Sequence, residues 1–581
     1  MAQMTASSSP SPVQPWSFRK RILASLPIFI ILMGVLSSVS HITSLEWNNE
    51  PTNQSLAATT GSTAVTMEPT KNSTLCATTG TTASGLCGAS AKRGAYKVSK
   101  KTVRMTIVRP STGEKQRISV LIRSPQGFKG KAPGIVFMHG AGYGTAFDSF
   151  KDVATEMASA GFVAATLDKP AWSTNSLTRD YPASALAYDQ VVNYLRGLST
   201  VNPAAVGIYA TSESVWISPY LVKRDHRVAF QILLSPMLFS PRMTLGFFVA
   251  QDFSIVGANP GYQGIVRRVF SADMASFGLH NVDIDPITKQ SLSIPTFMAY
   301  GSKDVMTSQV SGASRVMDLA HKAGNKEFVI RSYPLANHVL NIGDEHEGAL
   351  ADNYLDDIAN WSSGIVRGDT QTTPKVGGAD IYQSIGLPYD IRASKSLTFY
   401  GAILHALMLI ALLVVIVFSL VVLILQFVAR IRHRPNPTGI VKGFGRALLT
   451  ISITTLASGL LFLAGFGQIV IRVINLVWGA APEPAGMIYW SWYVVQISTV
   501  AVVWAWSRIF AVLIEEGMQR GWFRWLRRIA HEPEPDKAAV KDADRAPVVA
   551  ASRLGVAYFV CVTVAMMLML LVFAFWGLFL Y

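Results

Sequence analysis

The chain contains five apolar stretches that are each long enough to cross the core of a lipid bilayer. They run approximately over residues 22–39, 399–428, 447–471, 487–514 and 554–580. Half of all residues are hydrophobic and only 15% are charged, which is typical of a membrane protein rather than a large soluble one. The pattern therefore predicts an all-α transmembrane region with about five spans in total.

The charges between these spans predict their orientation. The connections near 430–446 and 517–553 are rich in arginine and lysine, whereas the connection 472–486 is almost uncharged. Basic connections stay in the cytoplasm, so we expect residues 1–21 and both basic loops inside, and residues 41–398 outside. Residues 22–40 are predicted to be an uncleaved anchor, although Ser38-Val39-Ser40 also resembles the cleavage site of a signal peptide.

The region between the first and second spans divides into three parts by composition. Residues 41–98 are rich in Thr, Ser, Ala and Gly, which predicts a disordered linker. In residues 99–366, short apolar runs alternate with amphipathic segments, which predicts a mainly parallel sheet with helices on both faces. This α/β domain would open with an antiparallel pair, 102–108 and 115–124, and close with a helix over 348–365. Residues 367–398 are predicted to tether it to the four-helix region 399–581.

One strand of the predicted sheet ends in a cluster of small polar residues. The apolar run 206–210 is followed by Thr211-Ser212-Glu213-Ser214 and then by a segment compatible with a helix. This pattern is typical of a nucleophile elbow, in which a serine lies on a sharp strand-to-helix turn and needs small neighbours two positions away on both sides. Ser212 has Ala210 and Ser214 at those positions, where the usual pattern has two glycines.

Three further segments supply the partners that such a serine needs. A strand over 134–138 leads into His139-Gly140-Ala141-Gly142, and a strand over 294–300 leads into Gly301-Ser302-Lys303-Asp304. A third strand, 327–333, leads to His338. The order Ser, Asp, His along the chain is that of the α/β-hydrolases. Residues 101–366 resemble this superfamily, and within it the dienelactone-hydrolase and acyl-peptidase-like serine esterases.

The resemblance implies a catalytic triad. Ser212 would be the nucleophile, His338 the general base and Asp304 the residue that orients the imidazole. The oxyanion hole would come from the backbone N–H groups of Ala141 and Glu213. A solvated first helical turn accounts equally well for the Glu213 side chain, and His139 is expected to be structural.

The remaining chemistry-bearing residues favour no other function. The formal net charge of +15 is explained by basic residues beside the apolar spans, so no nucleic-acid partner is expected. No cofactor is predicted, and the acidic cluster 344–347 lacks the spacing of a metal site. Cys76 and Cys87 would suit a disulfide outside the cytoplasm, or two free thiols in a linker.

These observations predict a membrane-anchored, extracytoplasmic serine hydrolase that cleaves an ester, thioester or amide through an acyl-enzyme. A small-molecule or lipid-like acyl compound is the expected substrate. An acyltransferase with the same triad, or an inactive hydrolase-like scaffold whose helices bind a protein partner, is the alternative. Residues 237–290 are longer than a simple crossover and would form either a cap, lining an acyl pocket or resting on the membrane, or additional core helices.

Overall fold

The structure, a computed structural model, describes residues 16–48, 51–69, 92–173, 178–343, 348–523, 525, 540–541 and 546–580. Cys76 and Cys87, and the acidic cluster 344–347, lie outside the described residues.

A mixed sheet forms the centre of the molecule. The strands are β1 (Pro51–Leu56), β2 (Met67–Glu68), β3 (Val98–Val108), β4 (Lys115–Pro125), β5 (Ala132–Met138), β6 (Val163–Leu167), β7 (Val201–Thr211), β8 (Gln231–Leu234), β9 (Thr296–Gly301), β10 (Phe328–Tyr333), β11 (Thr370–Gln371), β12 (Val376–Gly378) and β13 (Ile381–Ile385). Nine of them pair in the order β12-β10-β9-β8-β7-β5-β6-β4-β3. β4 is antiparallel to both of its neighbours, and the other pairs are parallel. The mainly parallel sheet is confirmed.

Helices cover both faces of this sheet. Those outside the apolar spans are α2 (Lys151–Ser159), α3 (Tyr181–Arg196), α4 (Ser218–Arg224), α5 (Pro241–Ile255), α6 (Pro260–Phe270), α7 (Gln309–Lys322) and α8 (Tyr354–Arg367). Every residue of β5 is buried, as expected for a strand covered on both faces. Its side chains alternate between two apolar cores: Val136 and Met138 face one core, while Ile135 and Phe137 face the other.

Five helices are long and apolar enough to cross a membrane. They are α1 (Phe18–Ile42), α9 (Lys395–Ile431), α10 (Lys442–Val477), α11 (Gly486–Gln519) and α12 (Arg553–Phe575). α1 and α10 pack against α11, and α9 packs against α12. The five predicted spans are confirmed as helices. The first four extend beyond their apolar runs at both ends, whereas α12 ends at Phe575 rather than at residue 580.

α1 contacts the other apolar helices near both of its ends. Near its start, the Arg21 guanidinium lies 2.7 Å from a carboxylate oxygen of Glu515 on α11. Near its end, the Ser40 hydroxyl donates to the carbonyl of Ala574 at 2.7 Å, and the Thr43 hydroxyl donates to that of Phe575 at 3.1 Å. These contacts favour an uncleaved anchor, because cleavage near Ser40 would remove a packed helix from the bundle.

Two segments expected to be linkers are instead folded where the structure describes them. Within 41–98, β1 pairs with β13 and β2 pairs with β11, and the Arg331 guanidinium donates to the carbonyl of Thr63 at 2.8 Å. Within 367–398, β12 adds a parallel strand to the main sheet beside β10. Composition misses both because β1 and β2 of the first segment pair with β13 and β11 of the second, far away in the chain. Only β12 gains its backbone hydrogen bonds from the edge of the main sheet. The closing helix also starts later, at Tyr354 rather than residue 348.

The cap segment, residues 237–290, contains α5 and α6, which pack against the apolar helices α10 and α11. The cap helix α6 places the Tyr262 ring 4.8 Å from that of Trp492 on α11, and its hydroxyl lies 3.0 Å from the Ser491 hydroxyl. On α5, Phe253 packs against Phe466 of α10. One continuous apolar core therefore runs from the sheet through the cap into the helical bundle.

Candidate active site

The sharpest turn of the sheet lies where β7 ends. Ser212 follows β7 directly, with φ at +51°, and begins a 3₁₀ helix over Ser212–Trp216. A positive φ is uncommon for a residue other than glycine and is typical of strained turns at functional sites. A Cβ at Gly140 would lie 3.3 Å from the Ser212 Cβ, so the adjacent loop approaches the serine closely. The predicted elbow geometry is present.

Ala210 and Ser214, which occupy the two positions where the usual elbow has glycine, fit into the structure in different ways. Ala210 is fully buried in β7 and adds only a methyl group. The Ser214 hydroxyl accepts a hydrogen bond from the Thr211 N–H at 2.7 Å and lies 3.0 Å from the carbonyl of Met138 on β5. Its hydroxyl thus ties the turn to the neighbouring strand, which a glycine could not do.

The three predicted triad side chains meet at one edge of the sheet. The Ser212 Oγ lies 2.9 Å from His338 Nε2, and His338 Nδ1 lies 3.0 Å from Asp304 Oδ1. All three residues are buried. The loop that carries the histidine is held by Ser235, at the end of β8, whose hydroxyl donates to the carbonyl of His338 at 2.7 Å.

The Asp304 carboxylate is positioned to accept a hydrogen bond from a ring N–H of His338. Its Oδ1 also accepts from the Met306 N–H at 2.9 Å, and its Oδ2 accepts from the Thr307 hydroxyl at 2.8 Å. The Gln309 amide donates to the carbonyl of Asp304 at 2.6 Å. Burial acts to raise the pKa of Asp304, but His338 and these donors outweigh it and hold that pKa below its ordinary value. The carboxylate is therefore ionised at neutral pH.

The ionised state of Asp304 indicates which ring nitrogen of His338 carries a proton. The carboxylate accepts the Nδ1–H of His338, so in the neutral ring Nε2 is the nitrogen that can accept the Ser212 proton. This is the arrangement in which a serine hydroxyl becomes a competent nucleophile.

The positions of Ser212, Asp304 and His338 in the sheet identify the fold. They follow β7, β9 and β10, which are parallel strands of one sheet, and they occur along the chain in the order Ser, Asp, His. A strained elbow serine between a strand and a helix completes the pattern. The chain has the α/β-hydrolase fold.

The structure is similar to several solved hydrolases at low identity and over about half of the chain. Brefeldin A esterase, a bacterial homologue of human hormone sensitive lipase, is 17% identical over 48% of this chain and 79% of its own, with a TM-score of 0.31. A thermostable esterase from Pseudomonas putida is 16% identical over 49% and 86%, with a TM-score of 0.29. A Bacteroides ovatus protein assigned as a dipeptidyl aminopeptidase IV is 13% identical over 47% of this chain but only 36% of its own, with a TM-score of 0.33. No protein-family model and no curated protein sequence matches the chain. Because these TM-scores are below 0.5, the fold assignment rests on the geometry above.

The two segments predicted to form an oxyanion hole flank Ser212. Ala141 is exposed in the loop after β5, and Glu213 directly follows the serine in the first turn of the 3₁₀ helix. Backbone N–H groups in a first helical turn have no acceptor within the helix, so they remain suited to a developing oxyanion. The roles of Ala141 and Glu213 stay predictions.

A buried lysine joins these two segments. The Lys169 ammonium donates to the carbonyls of Gly140 and Gly142, at 2.6 and 3.1 Å, and to the Glu213 carboxylate at 3.0 Å. Arg179 lies 2.9 Å from the other oxygen of that carboxylate. The Glu213 side chain is therefore buried in an ion-pair network rather than in a solvated helical turn. Burial lowers the pKa of Lys169, and Glu213 opposes that effect.

His139 is buried at the start of the loop after β5 and contacts the Thr145 carbonyl of that loop. Its Nδ1 lies 3.3 Å from the Tyr188 hydroxyl, which also accepts the His139 backbone N–H, and its Nε2 lies 3.4 Å from the Thr145 carbonyl. Burial lowers the pKa of His139 to about 4, so the ring is neutral at physiological pH. These contacts fit the expected structural role.

The connection between α10 and α11 contacts the loops that carry His338 and Asp304. The Asn337 amide, directly before His338, lies 3.4 Å from the carbonyl of Trp478. The Lys303 ammonium, directly before Asp304, donates to the carbonyl of Gly479 at 3.2 Å. The residues that directly follow α10 thus contact the residues that precede His338 and Asp304 in the chain.

The cap brings a second carboxyl group towards the catalytic one. Asp252 on α5 is fully buried, and neither of its carboxyl oxygens has a hydrogen-bond partner among the described residues. Burial first, and then the negative charge of Asp304, raise its pKa well above the ordinary value. Its neighbour Gln251 donates to the carbonyl of Val305, next to Asp304, at 3.0 Å.

Sequence reasoning missed Lys169, Ser235 and Asp252. Lys169 follows β6 closely, as Asp304 follows β9 and His338 follows β10, and only this position after a strand could have pointed to it. Ser235 ends a strand in the same way. Asp252 lies in an otherwise apolar helical segment, where a lone carboxylate is a recognisable anomaly. Within the described ranges, no group of three or more His, Cys, Asp or Glu side chains is placed to hold a metal ion.

Proposed function

We propose that this protein is a membrane-anchored serine hydrolase that cleaves a carboxylic ester through an acyl-enzyme on Ser212. One observation carries the proposal: the continuous hydrogen-bond chain from the Ser212 hydroxyl through the His338 ring to the Asp304 carboxylate. His338 would take the proton of Ser212 as the hydroxyl attacks the ester carbonyl, and it would return that proton to the leaving alcohol. Water, activated by the same imidazole, would then release the acid.

The contacts of the catalytic loops favour an amphiphilic ester as the substrate. Lys303 and Asn337 flank the catalytic aspartate and histidine, and both contact the connection between α10 and α11. The site therefore lies close to the ends of helices that are apolar enough to cross a membrane. A substrate embedded in the outer part of the bilayer would reach it without leaving the membrane surface.

Hydrolysis of p-nitrophenyl palmitate and p-nitrophenyl butyrate by the full chain in mixed micelles tests this proposal. We expect the palmitate to have the higher kcat/KM, with fatty acid released in step with nitrophenol. Preference for butyrate would contradict the amphiphilic substrate while leaving the hydrolase intact. Transfer of the acyl group to an added alcohol in place of water would indicate an acyltransferase, and no turnover of either ester would contradict the hydrolase itself.

We further propose that the hydrolase domain lies outside the cytoplasm. The ion pair between Arg21 and Glu515 places the start of α1 beside the end of α11, and a bridge between Ile440 and Ala550 joins the two basic connections. The basic segments thus lie at the end of the bundle opposite to the hydrolase domain, and basic segments stay in the cytoplasm.

Epitope tags test this orientation. A tag in the exposed turn 111–113 is expected to bind antibody on intact cells, and a tag in residues 434–437 only after permeabilisation. The reverse pattern would place the hydrolase domain in the cytoplasm.

A further inference from the structure

A cavity of about 270 Å³ lies between the cap and the membrane helices, away from the triad. Its wall is built from the end of α6 and the residues after it, from the first turns of α9, and from Phe575 and Trp576 at the end of α12. Val269 and Phe277 are exposed at this cavity. Aromatic side chains at a helix end that leaves the membrane are typical of the bilayer interface.

Arg268 is the only charged side chain in this wall, and it has no acidic partner among the described residues. It is 3% exposed, and its Nη1 and Nη2 donate to the carbonyls of Gly264 and Ser40 at 2.9 and 3.2 Å. Its Nε is buried without any partner. Burial lowers the pKa of Arg268 to about 10, so the guanidinium is still cationic at physiological pH.

His405, the other titratable residue of the wall, has both ring nitrogens occupied. Its Nδ1 donates to the carbonyl of Gly401 at 2.7 Å, and its Nε2 accepts from the Trp576 indole at 2.9 Å. The ring therefore contributes a fixed, apolar surface to the cavity rather than a second ligand group. An otherwise apolar cavity is left with a single uncompensated positive charge.

We propose that this cavity binds an anionic membrane lipid, with the headgroup on Arg268 and the first part of an acyl chain against the apolar wall. A buried cation without a counter-charge is costly, and an anionic oxygen on a guanidinium offsets that cost through charge-assisted hydrogen bonds. The apolar lining suits an acyl chain rather than a small soluble anion. The site also lies where the outer ends of α9 and α12 would meet lipid headgroups. The proposal is independent of the hydrolase chemistry.

Native mass spectrometry of the full chain, released from nanodiscs of phosphatidylcholine with or without phosphatidylglycerol, tests the proposal. We expect the wild type and Arg267→Gln, which removes a neighbouring and less buried charge, to retain phosphatidylglycerol in preference to phosphatidylcholine. Arg268→Gln should lower that retention by about tenfold, because a charge-assisted hydrogen bond is lost. Equal retention by Arg268→Gln and the wild type, or no lipid preference in the wild type, would overturn the proposal.

A second variant separates lipid binding from any folding defect of Arg268→Gln. Ala402 lines the cavity from α9 and is exposed, so Ala402→Phe would fill the space while keeping the arginine. We expect this variant to lose phosphatidylglycerol retention, and Ile403→Phe, on a neighbouring exposed position outside the cavity, to keep it. Phosphatidylglycerol should raise the Tm of the wild type, whereas inorganic phosphate alone should not. Equal stabilisation by phosphate would make this a soluble-anion site and overturn the lipid assignment.

Discussion

Replacing Ser212 with alanine is expected to lower kcat for ester hydrolysis by about 10⁴- to 10⁶-fold, which is the usual effect of removing the nucleophile of a serine hydrolase. The physical reason is that the acyl-enzyme needs the Ser212 hydroxyl, which lies 2.9 Å from His338 Nε2. The nearby Ser214 hydroxyl is held by Thr211 and Met138. Turnover of p-nitrophenyl palmitate, measured beside the Tm of each variant, provides the test.

The matched control for this prediction is Ser293→Ala, which removes an exposed hydroxyl from the far end of β9. It should leave both kcat and Tm unchanged. A Ser212→Ala protein that is folded and retains more than about a tenth of wild-type activity would remove Ser212 from the mechanism.

Replacing Asp304 with asparagine is expected to lower kcat by about 10⁴-fold with little change in KM. An amide at this position presents a donor to His338 Nδ1 and favours the tautomer in which Nε2 carries the proton, so the ring can no longer accept from Ser212. With the amide nitrogen at the position of Oδ1, the amide oxygen keeps the hydrogen bond from the Thr307 hydroxyl, whereas the Met306 N–H loses its acceptor. The Tm of this variant is therefore measured beside its kcat.

Asp318→Asn, on an exposed ion pair of α7, is the control with the same chemical change and should behave as the wild type. Activity of Asp304→Asn within about tenfold of the wild type would mean that His338 does not depend on this carboxylate for its orientation.

The positions of Ser212, Asp304 and His338 could be predicted because each follows an apolar run of strand length. The carboxyl ends of parallel strands meet at one edge of a sheet, so residues that are far apart in the chain are brought together by topology alone. The mainly parallel sheet and the five apolar helices follow from hydrophobic periodicity in the same way.

The folded state of the segments around β1, β2 and β12 could not be predicted from their composition. β1 and β2 pair with β13 and β11, which lie far away in the chain in the second predicted linker. β12 joins the edge of the main sheet beside β10, and such a strand needs no apolar pattern of its own. A similar limit applies to Lys169, because its partners Gly140 and Glu213 become neighbours only when β5, β6 and β7 are aligned.

The residues through which the cap packs against the apolar helices could not be predicted from the sequence. Tyr262 and Trp492 are separated by more than two hundred residues, and hydropathy reports only that each lies in an apolar or amphipathic segment. Their contact joins α6 to α11 within the apolar core that runs from the sheet into the helical bundle.

The most direct test of the catalytic account is the site of modification by a fluorophosphonate, identified by peptide mass spectrometry on the full chain in detergent. We predict a single adduct, on Ser212, that is lost in Ser212→Ala and strongly slowed in His338→Ala. An adduct on another serine, or undiminished labelling of Ser212 when His338 is replaced, would contradict the account.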